Sequence, residues 1–350
     1  MNNTMKWKKQ LLYIAILLAL IFLSFSIIFK ANDGLDFATI WDHFVHLDPF
    51  YVVLAFLGLF GYIAFEGISM QRAARVVGEK FGFFKGFGYA CIELYFAGIT
   101  PSATGGQPAA IYYMAKDGIS GSKATVINLL NTIQYTTSLI FMGLIASIYS
   151  FDLITDSGPM FLILYIIGVA INIVFFLFCI FCVFSIGTVR RVGIWGIALL
   201  CKMHLCKHRQ KKLERFETVM TEYAECISLV KKSFGKIMIV FCTNVMQRVC
   251  SFSIAFFVYK AFGFSGYSYF DLLSIQTLSA VAVNSLPLPG ATGAAEGVFM
   301  RLYASIYGNV VGPAMFITRG ISFYSCFIFT ALFTLSKSIS GKINRGHKKA

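Results

Sequence analysis

The chain has 350 residues, 57% of them hydrophobic and only 13% charged, with a mean hydropathy of +0.73. That excludes a soluble globular protein, which could not bury so much apolar surface, and several runs approach the ~20 residues needed to cross a bilayer. The formal charge of +14 collects in loops between apolar runs, a membrane pattern that gives no support to nucleic-acid binding.

In chain order, the first run is Leu11–Phe29, preceded by Lys6, Lys8 and Lys9. Its apolar core is too long for a signal peptide, and Lys30-Ala31-Asn32-Asp33 offers no cleavage pattern, so it reads as an uncleaved first span. Asp33, Asp36, Asp42 and Asp48 mark an outer loop before the span Phe50–Met70, and Arg72, Arg75, Lys80 and Lys85 an inner one after it. An interrupted apolar segment, Phe87–Lys116, leads to the span Ala124–Ser150. Asp152 and Asp156 then mark a second outer turn before Pro159–Ile186. Residues 187–236 read as a basic cytoplasmic loop with an interfacial amphipathic helix that meets anionic headgroups. Ile237–Phe262, a second interrupted segment Phe270–Tyr307, and Val311–Ser336 complete the spans. A basic tail (Lys337, Lys342, Arg345, Lys348, Lys349) puts both termini in the cytoplasm. Most of the nine cysteines lie in apolar runs and read as small hydrophobes. Cys201, His204, Cys206 and His208 lack the regular spacing of a zinc site, so no metal is expected.

The two interrupted segments share a motif. Pro101-Ser102-Ala103-Thr104-Gly105-Gly106-Gln107-Pro108 returns as Pro289-Gly290-Ala291-Thr292-Gly293-Ala294-Ala295-Glu296, 188 residues later (289 − 101). Paired Gly/Pro breaks in two halves of a hydrophobic chain point to a transporter's binding site. The charge pattern requires each broken segment to leave on the side it entered. Residues 50–150 and 237–336 then form an inverted repeat within one transmembrane domain spanning 1–350. The arm Phe87–Thr100 reaches only about 21 Å as helix, short of the ~30 Å core, which favours a re-entrant hairpin; for the second segment re-entrant and fully spanning forms both stay open. Thr104 and Gln107 have capping-box spacing, and Thr292-Gly293 should start the matching half-helix. The expected fold is an all-α polytopic bundle with two broken hairpins, whose half-helix N-termini at Thr104, Gly105, Gly106, Gln107 and at Thr292, Gly293 suit an anion.

Charges within apolar stretches are few, namely Glu66, Glu93, Arg248, Glu296, Arg301 and Arg319, and each is costly unless paired or hydrated. Arg248 and Arg319 are the best phosphate ligands, because a guanidinium stays charged and grips phosphate through two parallel hydrogen bonds. Glu296 is a further binding candidate, and Glu66, Glu93 and Arg301 are candidates for coupling or ion pairing. Asn128, Asn131, Tyr135 and Ser138 form one stripe that either lines a groove or joins helices. No phosphate-binding loop with Gly-Lys-Ser/Thr is present, and no catalytic residue or cofactor is expected.

Thr100–Pro108 followed by Gly118-Ile119-Ser120, and Pro287-Leu288-Pro289-Gly290 with Glu296-Gly297, resemble the two motifs of the lysylphosphatidylglycerol synthase transmembrane (flippase-like) domain. The resemblance implies a lipid flippase of the bacterial inner membrane that moves an anionic or aminoacylated phospholipid of the lysyl-phosphatidylglycerol class. Such activity lowers surface charge and resists cationic antimicrobial peptides. Bifunctional relatives add a soluble phosphatidylglycerol lysyltransferase domain. The longest non-membrane segment here is too small for one, so a non-enzymatic stand-alone form is expected. Polyprenyl-phosphate or glycolipid translocation and small-anion transport remain alternatives, with a separate lipid synthase or a second copy of the chain as possible partners.

Overall fold

The computed structural model describes residues 37–100, 103–202, 209–284, 286 and 288–346. The first expected span lies outside them, as do Pro101, Ser102, Pro287 and three of the four Cys201–His208 candidates. The described residues are helical, with no strand among them.

A short helix α1 (Phe37–Val45) precedes α2 (Pro49–Val76), which Asp48 caps by accepting from Phe50 N at 2.9 Å with Pro49 in the first turn. The first broken segment is α3 (Phe83–Gly98) and α4 (Gly106–Lys116). Then come α5 (Gly121–Tyr149), the short α6 (Phe151–Asp156) and α7 (Pro159–Phe184). The basic loop holds α8 (Ile186–Lys202) and α9 (Arg209–Lys231). After α10 (Phe234–Ala261), the second broken segment comprises α11 (Tyr269–Val283), a 3-10 turn at Pro289–Ala291, α12 (Ala294–Leu302) and α13 (Ala304–Tyr307). The final span is α14 (Val311–Arg319), a π-helical turn Gly320–Ser325, and α15 (Cys326–Gly346).

Five stretches are long and apolar enough to cross a membrane: Pro49–Val76, Gly121–Tyr149, Pro159–Phe184, Phe234–Ala261 and Ala304–Ser336. They coincide with the five expected spans among the described residues. The 28 residues of α2 extend about 42 Å, more than the ~30 Å hydrocarbon core, so it protrudes or tilts. Of the five, α5 is the most enclosed and α7 the most open, with Met160, Ile163, Ile166 and Phe178 exposed. An open apolar helix is ordinary where the solvent is lipid, and here it belongs to a multi-pass membrane protein.

Apart from a few charges in the interior, polar and charged contacts gather at the two ends of the bundle. At one end Lys123 pairs with Glu79 (2.7 Å), Lys236 donates to the Arg75 carbonyl (3.4 Å) and Tyr89 donates to Asp117 (2.8 Å). At the other, Asp48 N reaches Ala261 O (3.0 Å) and Tyr149 donates to Asp271 (2.9 Å). The basic loop departs from a single interfacial helix. Its two helices fold back on each other, and α9 docks on the bundle through Met220, Tyr223, Cys226 and Ile227, with Tyr223 donating to Cys182 O (3.2 Å). Those apolar side chains recur three or four apart, so α9 has a face to bury and buries it in protein.

Helix α2 crosses α3 almost backbone to backbone. A methyl on Gly67 would lie 2.6 Å from Phe87 N, and one on Gly86 would lie 2.5 Å from Gly67 O. Gly67→Ala is therefore expected to cost about 1–3 kcal/mol by overpacking and to lower the unfolding midpoint in detergent. Gly82→Ala, where an added methyl meets nothing within 4 Å, serves as the control and is expected to leave that midpoint unchanged.

Candidate functional site

Each broken segment is a helical hairpin that begins and ends at the same end of the bundle. The first starts where Gln71 donates to Phe81 O (2.7 Å) and returns where Asp117 meets Tyr89. The second starts where Asp271 meets Tyr149 and returns where Arg301 Nε donates to Ser157 O (2.8 Å). The two tips meet in the middle of the molecule, and both line one cavity of about 370 Å³.

The tips repeat each other in backbone conformation. Ala103 (φ 56°) and Ala291 (φ 52°) are the only left-handed residues other than glycine among those described, and they occupy the same position in the two motif copies. Left-handed alanine is strained by about 1–2 kcal/mol, so its recurrence marks an imposed turn. The offset of 188 continues into the following helix. Asn131 and Arg319 are 188 apart (319 − 131), and each donates to a buried glutamate: Asn131 Nδ2 to Glu66 Oε1 at 2.6 Å, Arg319 Nε to Glu296 Oε1 at 3.0 Å. Tyr135 and Phe323 keep the same spacing (323 − 135), and each ring lies under an arginine, Arg248 at 3.8 Å and Arg319 at 4.6 Å.

At the first tip Thr100 Oγ1 donates to Phe96 O (2.7 Å) and accepts from Gly105 N (2.8 Å), closing the turn. Helix α4 then starts at Gly106, with Gly105 as its cap and no side-chain cap bond. The cap is thus one residue beyond Thr104, where the capping-box spacing put it, and Gln107 Nε2 donates to Thr132 Oγ1 on α5 (2.7 Å), pinning the tip to its neighbour. Gly106 is required where it stands, since a methyl there would lie 2.7 Å from Glu93 O.

The second tip is held by charge. Helix α12 starts after Gly293, as Thr292-Gly293 suggested, and Gly293 N donates to Glu296 Oε2 at 2.6 Å. Arg319 bridges the other oxygen of Glu296 to Gly290 O, the latter at 3.0 Å. The anion complementing this helix N-terminus is thus the protein's own carboxylate. The first turn of α4 carries no acidic residue.

Glu66 is buried and takes a hydrogen bond on each oxygen, from Asn131 and from Gln247 Nε2. Ser69 donates to Asn131, and Asn244 donates to Ser69 at 2.7 Å, so one polar network ties α2, α5 and α10 together. Arg248, only 3% exposed, donates Nε to Ser138 Oγ (2.9 Å) and Nη2 to Tyr135 O (2.8 Å). No carboxylate among the described residues lies within ion-pair distance of it.

Of the residues expected from sequence, the cavity brings together Gln107, Asn131, Arg248 and Arg319 with Glu66 and Glu93. Thr104, Gly105, Gly106, Thr292 and Gly293 belong to the tips but not to that lining, and Glu296 is fully buried and paired with Arg319. Asn128 and Arg301 stand apart. Asn128 Nδ2 donates to Ala124 O (2.9 Å) on its own helix, three residues from the cavity-lining Asn131 and toward the basic end. Arg301 lies in the last turn of α12, at the far end from the tip. The polar stripe therefore divides, with Asn131 and Tyr135 lining the cavity and Asn128 and Ser138 bonded within protein. Tyr62, Thr132 and Gln276 also line the cavity without having been singled out, and Gln247 completes the Glu66 shell. The run Asn244, Gln247, Arg248, Ser251, polar every three or four residues, was the available signal for Gln247.

Long apolar helices around two broken hairpins whose tips share a charged cavity define a polytopic membrane protein with a central polar site. The chain belongs to the family of the lysylphosphatidylglycerol synthase TM region, which matches residues 11–329. It is also similar to a UPF0104 membrane protein of Archaeoglobus fulgidus, 23% identical over 321 residues, 88% of this chain and 92% of that relative.

Proposed function

We propose that the protein is a lipid translocase that binds a phosphate-bearing headgroup in the central cavity and moves it between leaflets without catalytic chemistry. The observation that carries this is the convergence of Arg248 and Arg319 with both hairpin tips in one cavity. Some 370 Å³ suits a phosphoglycerol-sized headgroup and no diacyl tails, so the acyl chains would stay in the membrane while the headgroup crosses. Apolar lining by Leu94, Phe252, Phe299 and Phe327 is compatible with that route.

The 188-residue offset, kept in sequence and in turn conformation, supports two inverted repeats with re-entrant hairpins. Rocking one repeat against the other would present the cavity to each leaflet in turn. The phosphate is common to phosphatidylglycerol, its aminoacyl derivatives and polyprenyl-phosphate carriers, and the family membership favours the lysyl-phosphatidylglycerol class.

The test is leaflet exchange in proteoliposomes holding trace phosphatidylglycerol, or its lysyl derivative, with a dithionite-reducible fluorophore on one acyl chain. Protein-dependent loss of the protected inner-leaflet signal is expected with at least one of them. Signals no faster than in empty liposomes for both would refute a phospholipid substrate and direct the assay to polyprenyl phosphates and soluble anions.

A further inference from the structure

Three glutamates line or flank the cavity, Glu66 and Glu296 buried and Glu93 half-buried, and they differ in one respect. Glu66 has both oxygens engaged by amide donors, and Glu296 is engaged by Arg319 and Gly293 N. Glu93 has neither kind of partner. Its Oε2 is buried and accepts no hydrogen bond, and no cation among the described residues pairs with it. A carboxylate with one oxygen buried and unsatisfied is disfavoured relative to its neutral acid.

Position makes this consequential. Glu93 lies on α3, the rising arm of the first hairpin, and lines the cavity. Its backbone carbonyl lies directly beneath Gly106, where the descending arm begins, so the carboxyl sits at the joint of the tip. That tip is otherwise held by neutral hydrogen bonds, unlike the second tip with its ion pair. Helix α3 packs against α2, α4, α15 and the 3-10 turn of the second tip. The titratable or charged groups that share the cavity with Glu93 are Tyr62 and Glu66 from α2, Tyr135 from α5, Arg248 from α10, Arg319 from α14 and Cys326 from α15. The turn and α4 present none there. Arg319 is committed to Glu296, and Arg248 is anchored on Tyr135 and Ser138.

We infer that Glu93 is a proton site: its carboxyl is protonated when the first hairpin tip is seated as described, and it releases the proton when that tip moves and water reaches it. Resting on the translocase reading, this makes the transmembrane proton gradient the source of direction for headgroup movement. One proton binds to one carboxylate oxygen on one side of the membrane and leaves on the other, with no redox partner needed.

Two readouts separate this inference from the translocase reading. The first is the infrared carbonyl stretch of a protonated carboxylic acid, recorded on the purified full chain in lipid as pH is raised. A band present near neutral pH, absent in Glu93→Gln, displaced in Glu93→Asp and retained in Glu66→Gln is the expected result. The aspartate variant keeps a titratable group and reports even if the amide variant is poorly folded. A spectrum that is the same in Glu93→Gln and Glu93→Asp as in the unaltered chain would overturn the assignment. So would a carboxylate band that responds to sodium and not to pH, which would make the ligand a metal cation. The second readout is lipid exchange with and without an imposed proton gradient. Exchange that is directional under the gradient in the unaltered chain, and indifferent to it in Glu93→Gln, is expected. Exchange indifferent to the gradient in the unaltered chain would overturn the coupling while leaving the translocase reading intact. A Glu93 band without any exchange would refute the translocase and leave the proton site standing.

Discussion

Arg319→Ala is expected to lower both stability and lipid exchange, and by more than any other single change in the cavity. Its guanidinium holds Glu296, a carboxylate with no solvent exposure, and also Gly290 O at the turn of the second tip. Breaking a buried pair by removing one partner strands a charge in low dielectric, which costs about 3–5 kcal/mol. The stranded charge here also caps α12, so the helix start loses its anchor to the final span. Glu296→Gln in the Arg319→Ala background removes the stranded charge while keeping an acceptor for Gly293 N. Most of the stability is expected to return in the double variant, and lipid exchange is not, because the phosphate ligand is still missing. Thermal unfolding in detergent gives the cycle. An Arg319→Ala variant as stable as the unaltered chain would show that the pair does not hold the tip.

Arg248→Ala is expected to act in the opposite way on stability. This guanidinium is buried yet has no carboxylate within ion-pair distance, and the hydrogen bonds it makes are to a carbonyl and a hydroxyl. A buried cation held by neutral hydrogen bonds and a ring face, with no carboxylate in direct contact, is a cost to the empty protein and an attraction to an arriving phosphate. Removing it should therefore leave the unfolding midpoint unchanged or higher. Losing one charge-assisted contact of about 1.5–3 kcal/mol should weaken headgroup binding roughly 10–150-fold. Arg248→Lys should not restore binding, since a single ammonium cannot brace against Tyr135 O and Ser138 while reaching a phosphate. Titration of a short-chain phosphatidylglycerol into the purified protein measures the affinity. Unchanged affinity in both variants would remove Arg248 from the site.

Much of this architecture was legible in the residues because crossing a bilayer is a demand made on each segment separately. Twenty apolar residues in a row, a Gly/Pro break, or a basic loop has the same meaning whatever lies beside it. The offset of 188 was visible for the same reason, as two copies of one local turn. The basic loop was less legible: its apolar residues suited either a membrane surface or a protein face, and the bundle supplied the latter for α9. Among the polar candidates, Asn128 and Asn131 differ by less than one helical turn, and Arg301 and Arg319 are equally anomalous in an apolar run. Nothing local distinguishes the member that faces the cavity from the one that bonds within protein or at the far end.

The sequence by itself determined the membrane class, the spans among the described residues and the two places where the chain must break. Those follow from transfer free energies that sum along a segment. Only the tertiary structure decided that Arg319 meets Glu296 across 23 residues, that Gln247 and Asn131 meet Glu66 across 181 and 65, and that Glu93 Oε2 is buried without a hydrogen-bond partner. Pairing depends on distance and direction between helices, and a hydropathy pattern carries no information about either.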